Sequence, residues 1–384
     1  PWARAAQAPC IKAHLARRGF MGVEVETPAF GVLQPRWTGQ GSRVSIVIPT
    51  RDRAAMLRTC LTSLLTITTY QHYEILLVDT GSVEPQTARL YEELASEPRI
   101  RLLRFDGEFN YSGVNNWAAA QATGDVLVFL NNDVEVLHAD WLDELTRWAE
   151  LKEIGCVGAK LLYPDGTIQH AGLVMGLEGH ASQIFRHEAG AHHWSCFGSP
   201  DFYRNHLAIT AASLAVRREV FREAGGFDES YRLCYNDIDL CLRVAGAGYR
   251  NLYTPFARLT HHEGASRGST FPPSDVLRAS ILMFPIVMQG DPSFNPSLSY
   301  ASLSPRIADE NGPESRAARI ALIARSSGVH ESWDRSLDRE LRGETREWER
   351  HRPLTRGPVP VHEQHDRDQN RLRSLMATHD LSRS

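Results

Sequence analysis

Carboxylates and carboxamides crowd four short stretches of this chain. Three close apolar runs: "PTRD" (49–52), "DTGS" (79–82) and "NND" (131–133). The fourth, "YNDIDLCLRVAGAGY" (235–249), sets Asp237 and Asp239 in front of an apolar run. An aspartate can take a proton as a general base, and an acidic, amide-rich edge suits a hard cation that bridges phosphate oxygens. Each stretch also has an ordinary structural reading. Asp, Asn, Gly and Pro form turns, and Asn236 or Asp237 would serve as a helix N-cap. A cap accounts for one acidic residue and leaves the other for chemistry. Three polar strand ends on one sheet edge favour a site over three unrelated turns.

The elements that must position these residues are legible in the hydrophobic pattern. "RVSIVIPT" (43–50), "YEILLVDTGS" (73–82), "IRLLRFD" (100–106) and "GDVLVFLNND" (124–133) read as strands, mostly continuous apolar runs as expected of strands buried on both faces. Helical patterns at 54–66, 85–95, 112–122 and 139–150 alternate with them, which predicts a mainly parallel sheet covered on both faces. Ligands bind such a sheet beyond the carboxyl ends of its strands. Further on, "GCVGAKLLY" (155–163) is strand-like and a Gly/His-rich loop region reaches about residue 205. A strand and then a helix follow within 207–229. In the opening stretch Ile238, Cys241, Leu242 and Ala245 share one helical face, and Gly246 and Gly248 stop the helix. Past residue 305 the chain is rich in Arg and Glu. A solvated helix is expected at 338–352, and the tail to Ser384 reads as peripheral or disordered.

Bulk properties exclude several classes. With 384 residues, 42% hydrophobic and 23% charged, the chain holds a large folded domain plus extensions. A net charge of −4 gives no reason to expect a nucleic-acid partner. No apolar run reaches the ~18 residues that a membrane span needs, and no apolar leader opens the chain. The sequence starts with Pro rather than Met, as in a fragment or a processed protein. Six scattered cysteines with no C-x-x-C pair point to reduced thiols in a cytosolic protein. A P-loop, a dinucleotide-binding G-x-G-x-x-G after the leading strand and a G-x-S-x-G elbow are all missing.

"VSIVIPTRDR", "ILLVDTGS", "VLVFLNNDVEV", "GGFDE", "NDIDLCLR" and "HHEGASRG" occur in the order seen in inverting glycosyltransferases of the family 2 type. "GTIQHAG" and "GDPSFNPSLSY" resemble bacterial polysaccharide members, rhamnosyl or O-antigen transferases among them. The resemblance covers roughly residues 43–300, and eight motifs in order are strong where one would be weak. It implies an α/β, GT-A fold, Rossmann-like, in residues 43–300. Residues 1–42 are then a lead-in and 301–384 a C-terminal extension. "HLARRGFMGVEVE" in the lead-in looks like the segment before this domain in larger members.

The resemblance also implies roles. Asp237 falls on the catalytic base, with Asn236 where the family commonly has Glu. Asp239 reads as structural support, paired with Arg243 one turn on. Asp133 is the implied ligand for a divalent cation, Mn²⁺ or Mg²⁺, with Asn131 opening the motif in place of an acid. His261 is the implied third ligand, and the adjacent His262 stays open. Asp79 matches the residue that reads the nucleobase, and Pro49, Thr50 and Asp52 match a nucleotide-contacting loop. Asn116 matches a helix-start Asn near the diphosphate, and Gly225 and Gly226 pass close to the acceptor. The implied partners are a nucleoside diphosphate sugar, with a dTDP or UDP carrier, and a glycan or lipid-linked glycan acceptor. The implied location is cytoplasmic, with peripheral contact at the inner membrane face.

Three other readings are weaker. A sugar-nucleotide pyrophosphorylase carries a Gly-rich loop after the leading strand, and "PTRDRA" has no glycine. A non-catalytic glycan-binding or assembly scaffold would have lost the base or the metal ligand. A His-rich hydrolase needs clustered ligands that "HAGLVMGLEGH" (170–180) and "HEAGAHH" (187–193) do not supply.

Overall fold

The computed structural model describes residues 2–191, 194–263, 271–309 and 361–380. The helix expected at 338–352, the end of "HHEGASRG" and the last residues of "HEAGAHH" lie outside them.

The chain opens with helix α1 (Trp2–Arg17) and an antiparallel hairpin of β1 (Glu24–Ala29) and β2 (Val32–Arg36). There follow β3 (Val44–Thr50), α2 (Ala54–Ile67), β4 (Tyr73–Asp79), α3 (Pro85–Leu94), β5 (Ile100–Arg104), α4 (Tyr111–Ala119) and β6 (Val126–Leu130). These match the predicted alternation closely. β3 and β4 are apolar at nearly every position because both faces are covered, and strand parity divides their side chains. Ile46 and Ile48 pack with Leu57, Leu61 and Leu64 of α2. Val47 packs on the other face with Val114 and Ala118 of α4. Asn110 caps α4, its side chain accepting the Gly113 N–H at 3.1 Å.

The sheet order makes the crevice. β5, β4, β3 and β6 run parallel, and the chain steps outward from β3 to β4 and β5 before returning to β6 on the other flank of β3. That reversal opens a cleft at the carboxyl ends of β3 and β6. Register sets Thr50 opposite Asp79, so the predicted polar strand ends do share one edge.

The second half supplies the far wall. After β7 (Val134–Val136), α5 (Trp141–Ala149) and β8 (Ile154–Leu162), the loop-like region holds the short strands β9 (Ile168–His170), β10 (Leu173–Met175), β11 (Ala181–Gln183) and β12 (Arg204–His206). β13 (Ser213–Arg217) runs antiparallel between β6 and β8 and leads into α6 (Arg218–Glu223). α7 (Asn236–Gly246) leads to β14 (Arg250–His261), which lies parallel to β8 and carries its last residues past β7. α8 (Pro273–Gln289) is packed by α9 (Val361–Asp380), whose Leu372, Leu375 and Met376 are buried. Arg278 of α8 meets Asp368 of α9 at 3.4 Å.

The lead-in is more ordered than its composition suggests. Trp37 is buried edge-on against Trp148 of α5, with ring centroids 4.8 Å apart, and Arg36 pairs with Asp140 at 2.6 Å. Cys60, Cys156, Cys234 and Cys241 are buried as free thiols. Among the described residues, no helix is long and apolar enough to cross a membrane.

Candidate functional site

The cleft is joined at its floor by a side-chain bridge. Asn132 donates to Thr50 Oγ1 at 3.0 Å, tying the end of β6 to the end of β3. Thr50 is buried, and its carbonyl accepts the Thr80 N–H at 3.0 Å, so Thr50 locks the turn after β4 as well. Asp52 and Arg53 follow with φ of 54° and 57°, left-handed backbone that costs a non-glycine residue energy. Asp52 Oδ1 accepts the N–H groups of Val83 and Glu84, both at 2.8 Å, which fixes that sharp exit. Asp79 is buried, and its Oδ1 accepts the Ser82 N–H at 2.9 Å. Burial, with the Asp79 carboxylate adding to it, pushes the Tyr91 hydroxyl up to about 12, which keeps it a neutral donor.

Asp133 sits just past β6, 4% exposed. β14 pairs His261 with Val134, and this register delivers the imidazole to the aspartate: His261 Nε2 stands 3.1 Å from Asp133 Oδ1. His262 takes the other side of the strand, 3.6 Å from Glu135. Of the two adjacent histidines, His261 is therefore the one that meets Asp133. Asn131 Nδ2 also faces His261 Nε2, at 3.3 Å. An imidazole nitrogen and a carboxylate oxygen converging on one point form a donor set that suits a divalent cation. Among the described residues no three His, Cys, Asp or Glu side chains gather. Beneath them, burial pushes the Cys60 thiol up to about 12, with Asp133 adding to the effect. That thiol is no nucleophile.

Asp237 faces the same space from α7. The expected N-cap moves by one residue: the cap position is Tyr235, at φ 62° and with no side-chain cap bond, and Asn236 and Asp237 open the helix itself. Asn236 Oδ1 accepts the Asp237 N–H at 2.8 Å. Asp237 Oδ2 accepts the Ala211 N–H at 3.0 Å and Oδ1 accepts the Ile238 N–H at 2.9 Å. These bonds aim the carboxylate. Asp239 points into the protein and accepts Arg243 Nε at 2.9 Å and Nη2 at 2.6 Å, the predicted one-turn pair. The loop before Tyr235 hangs on α8: the fully buried Asp275 accepts the N–H groups of Leu233 and Cys234 at 2.9 and 3.1 Å.

Asp237, His261, Asn131, Tyr111 and Glu263 line one pocket of about 110 Å³. A larger hollow of about 590 Å³ is lined by Asn116, Gly225, Gly226, Arg218 and Arg222. It offers two guanidinium groups and, unlike the smaller pocket, no carboxylate or imidazole. Three site residues expected from the sequence thus separate from the rest. Asn116 does not start its helix. Asn110 does, and Asn116 spends both ends of its amide on Phe227, donating to its carbonyl at 2.9 Å and accepting its N–H at 2.9 Å. Gly226 passes that amide at φ 70°, where an added Cβ would lie 2.6 Å from Asn116 Oδ1.

Sequence reasoning passed over Tyr111, Gln169, Glu263 and Asp275. Gln169 stands inside the "GTIQHAG" stretch, the one signal available for it, whereas nothing local marks Asp275.

A family model described as glycosyl transferase family 2 matches residues 45–206. The chain is 42% identical over 295 residues to the O-antigen biosynthesis protein RfbC of Myxococcus xanthus, covering 76% of this chain and 23% of that protein. It is 26% identical over 237 residues to the N-acetylglucosaminyl-diphospho-decaprenol L-rhamnosyltransferase of Mycobacterium tuberculosis, covering 53% of this chain and 71% of the relative. The chain thus spans about a quarter of the length of the O-antigen relative. Among solved structures, GalNAc-T7 with UDP, GalNAc and Mn²⁺ superposes with a TM-score of 0.52 at 16% identity, over 64% of this chain and 49% of the other. That likeness concerns the fold.

Proposed function

This chain carries a family 2 glycosyltransferase domain with the GT-A fold, and from that premise we propose that it moves a sugar from a nucleoside diphosphate to a hydroxyl of a bacterial surface polysaccharide or its lipid-linked precursor. The observation that carries the reading is the pocket that Asp237 lines from the helix side and His261 from the strand side, with the buried Asp133 carboxylate 3.1 Å behind the imidazole. Transfer is a single displacement with inversion. Asp237 takes the proton of the attacking hydroxyl, its carboxylate held by Ala211 and Ile238. Asp133 and His261 hold a divalent cation, which when bound neutralises the departing diphosphate. Asp79 accepts from the imino N–H of uracil or thymine, next to the Pro49–Asp52 turn. The names of the relatives favour polysaccharide assembly and rhamnosyl transfer, and a cytoplasmic site with peripheral membrane contact follows from a lipid-linked acceptor. The hollow beside Gly225 and Gly226 takes a part of the acceptor away from its reacting hydroxyl, which reaches Asp237 in the smaller pocket.

The test is nucleoside diphosphate release from a panel of UDP-, dTDP- and GDP-sugars, with and without Mn²⁺ or Mg²⁺. Metal-dependent release from one donor supports the reading and identifies the carrier. No release from any donor, together with no donor binding by calorimetry, sinks it in favour of a non-catalytic scaffold.

A further inference from the structure

Gln169 is 2% exposed on β9, between the pocket and the sheet. Its Oε1 lies 2.5 Å from His261 Nδ1. Its Nε2 lies 3.4 Å from the His261 carbonyl oxygen and 3.3 Å from Glu263 Oε2. Both of those oxygens are acceptors, so the amide has one sensible orientation, with nitrogen toward them and Oε1 toward the ring. An oxygen at Nδ1 calls for a proton on Nδ1, and a neutral imidazole then carries its lone pair on Nε2. On the far side of the ring Nε2 faces Asp133 Oδ1 at 3.1 Å and Asn131 Nδ2 at 3.3 Å, so that nitrogen points into the space these groups share. Glu263 is itself held, accepting from Tyr163 OH and Arg186 Nη2, both at 3.0 Å, so the orienting amide is braced from the pocket rim.

We propose that Gln169 is a positioning residue that accepts the His261 Nδ1–H and fixes the ring orientation, so that Nε2 is directed at the point it shares with Asp133 Oδ1. The inference builds on the proposed metal-assisted transfer, but the tautomer is measurable without it. Gln169 lines the pocket beside His261. It acts through His261, much as carboxylate or carbonyl partners orient metal-bound histidines elsewhere.

The experiment records long-range ¹H–¹⁵N correlations of ¹⁵N-histidine-labelled full chain, with His261→Asn to assign the signals, and Mn²⁺ binding by calorimetry with and without UDP. Wild type is expected to show the Nδ1–H form of His261. Gln169→Leu is expected to shift His261 toward the other tautomer or a mixture and to weaken Mn²⁺ by roughly 10–100-fold, the usual effect of losing an orienting partner. Gln169→Glu restores an acceptor at Nδ1 and is expected to keep the tautomer, with Mn²⁺ affinity nearer to wild type. If Gln169→Leu fails to fold, Gln169→Met, closer in length, replaces it. An unchanged Nδ1–H signal in folded Gln169→Leu or Gln169→Met overturns the proposal, as does a wild type that lacks Nδ1–H. If wild type binds no Mn²⁺ in either condition, the metal reading falls while the spectra still decide the role of Gln169.

Discussion

The strand wall of the pocket and its helix wall reach similar precision by different means. Asp133 sits in the short link between β6 and β7 and His261 ends β14, all three strands held in a ten-stranded sheet, so mainly the side chains need orienting. Asp237 rides on the first turn of α7, entered through the left-handed Tyr235, and its loop hangs from Asp275 of a helix much later in the chain. A ladder of backbone bonds resists local change, whereas a loop tied through a few contacts to other elements, those of Asp275 and Ser112 among them, depends on each of them. The strand wall should therefore fail through its chemistry, and the helix wall through its geometry as well.

The largest effect expected is that of Asp237→Asn. Loss of a general base should lower kcat by about 10²–10⁴-fold while donor affinity by calorimetry stays near wild type. Asp133→Ala, on the other wall, should instead abolish the response of activity to Mn²⁺. If both variants alter metal response equally, the two walls do not have separate tasks.

A pH series probes what lies under both walls. Burial pushes His170 and His180 down to about 4 and His206, with smaller contributions from Arg204 and His170, to about 3. His170 and His206 lie on β9 and β12, and His180 bonds Ser280 of α8. Folded-state values below the unfolded 6.5 mean that the unfolded chain binds protons earlier. Stability is then complete above about pH 6.5 and is lost as pH falls toward 4, by up to about 1.4 kcal/mol per pH unit for each histidine. Denaturant titrations from pH 7.5 to 4.5 read that slope, and a flat profile would show that these rings are solvated.

Asp275→Ala sharpens the comparison further. It strands two backbone N–H groups, at about 1–3 kcal/mol for a buried unpaired group. Its melting temperature should fall, and kcat should fall more than Mn²⁺ affinity does. Equal losses on both walls would mean that α8 supports the whole sheet end. The smallest effect belongs to His262→Ala: its ring meets the half-exposed Glu135, so Mn²⁺ response and kcat should stay within about twofold of wild type, since an exposed pair contributes ~0–1 kcal/mol. A loss matching that of His261→Ala would exchange the two assignments.

The amino-acid sequence by itself determined the parallel half of the fold. β3, β4 and β6 are apolar on both faces, and such runs have few other stable arrangements, so their polar ends had to meet at one edge. It also determined the Asp239–Arg243 pair, because a spacing of four residues is a contact in any α-helix. Tertiary structure alone decided the rest. Which of His261 and His262 meets Asp133 depends on the register of β14 against β7, and a one-residue slip would exchange them. Asn116 left the expected site because the cap falls on Asn110 and its amide is committed to Phe227. Gln169 and Asp275 gained their places through contacts with residues far away in the chain. Local periodicity reports which face of an element is buried. It carries no information about which distant backbone N–H or ring nitrogen will be waiting there.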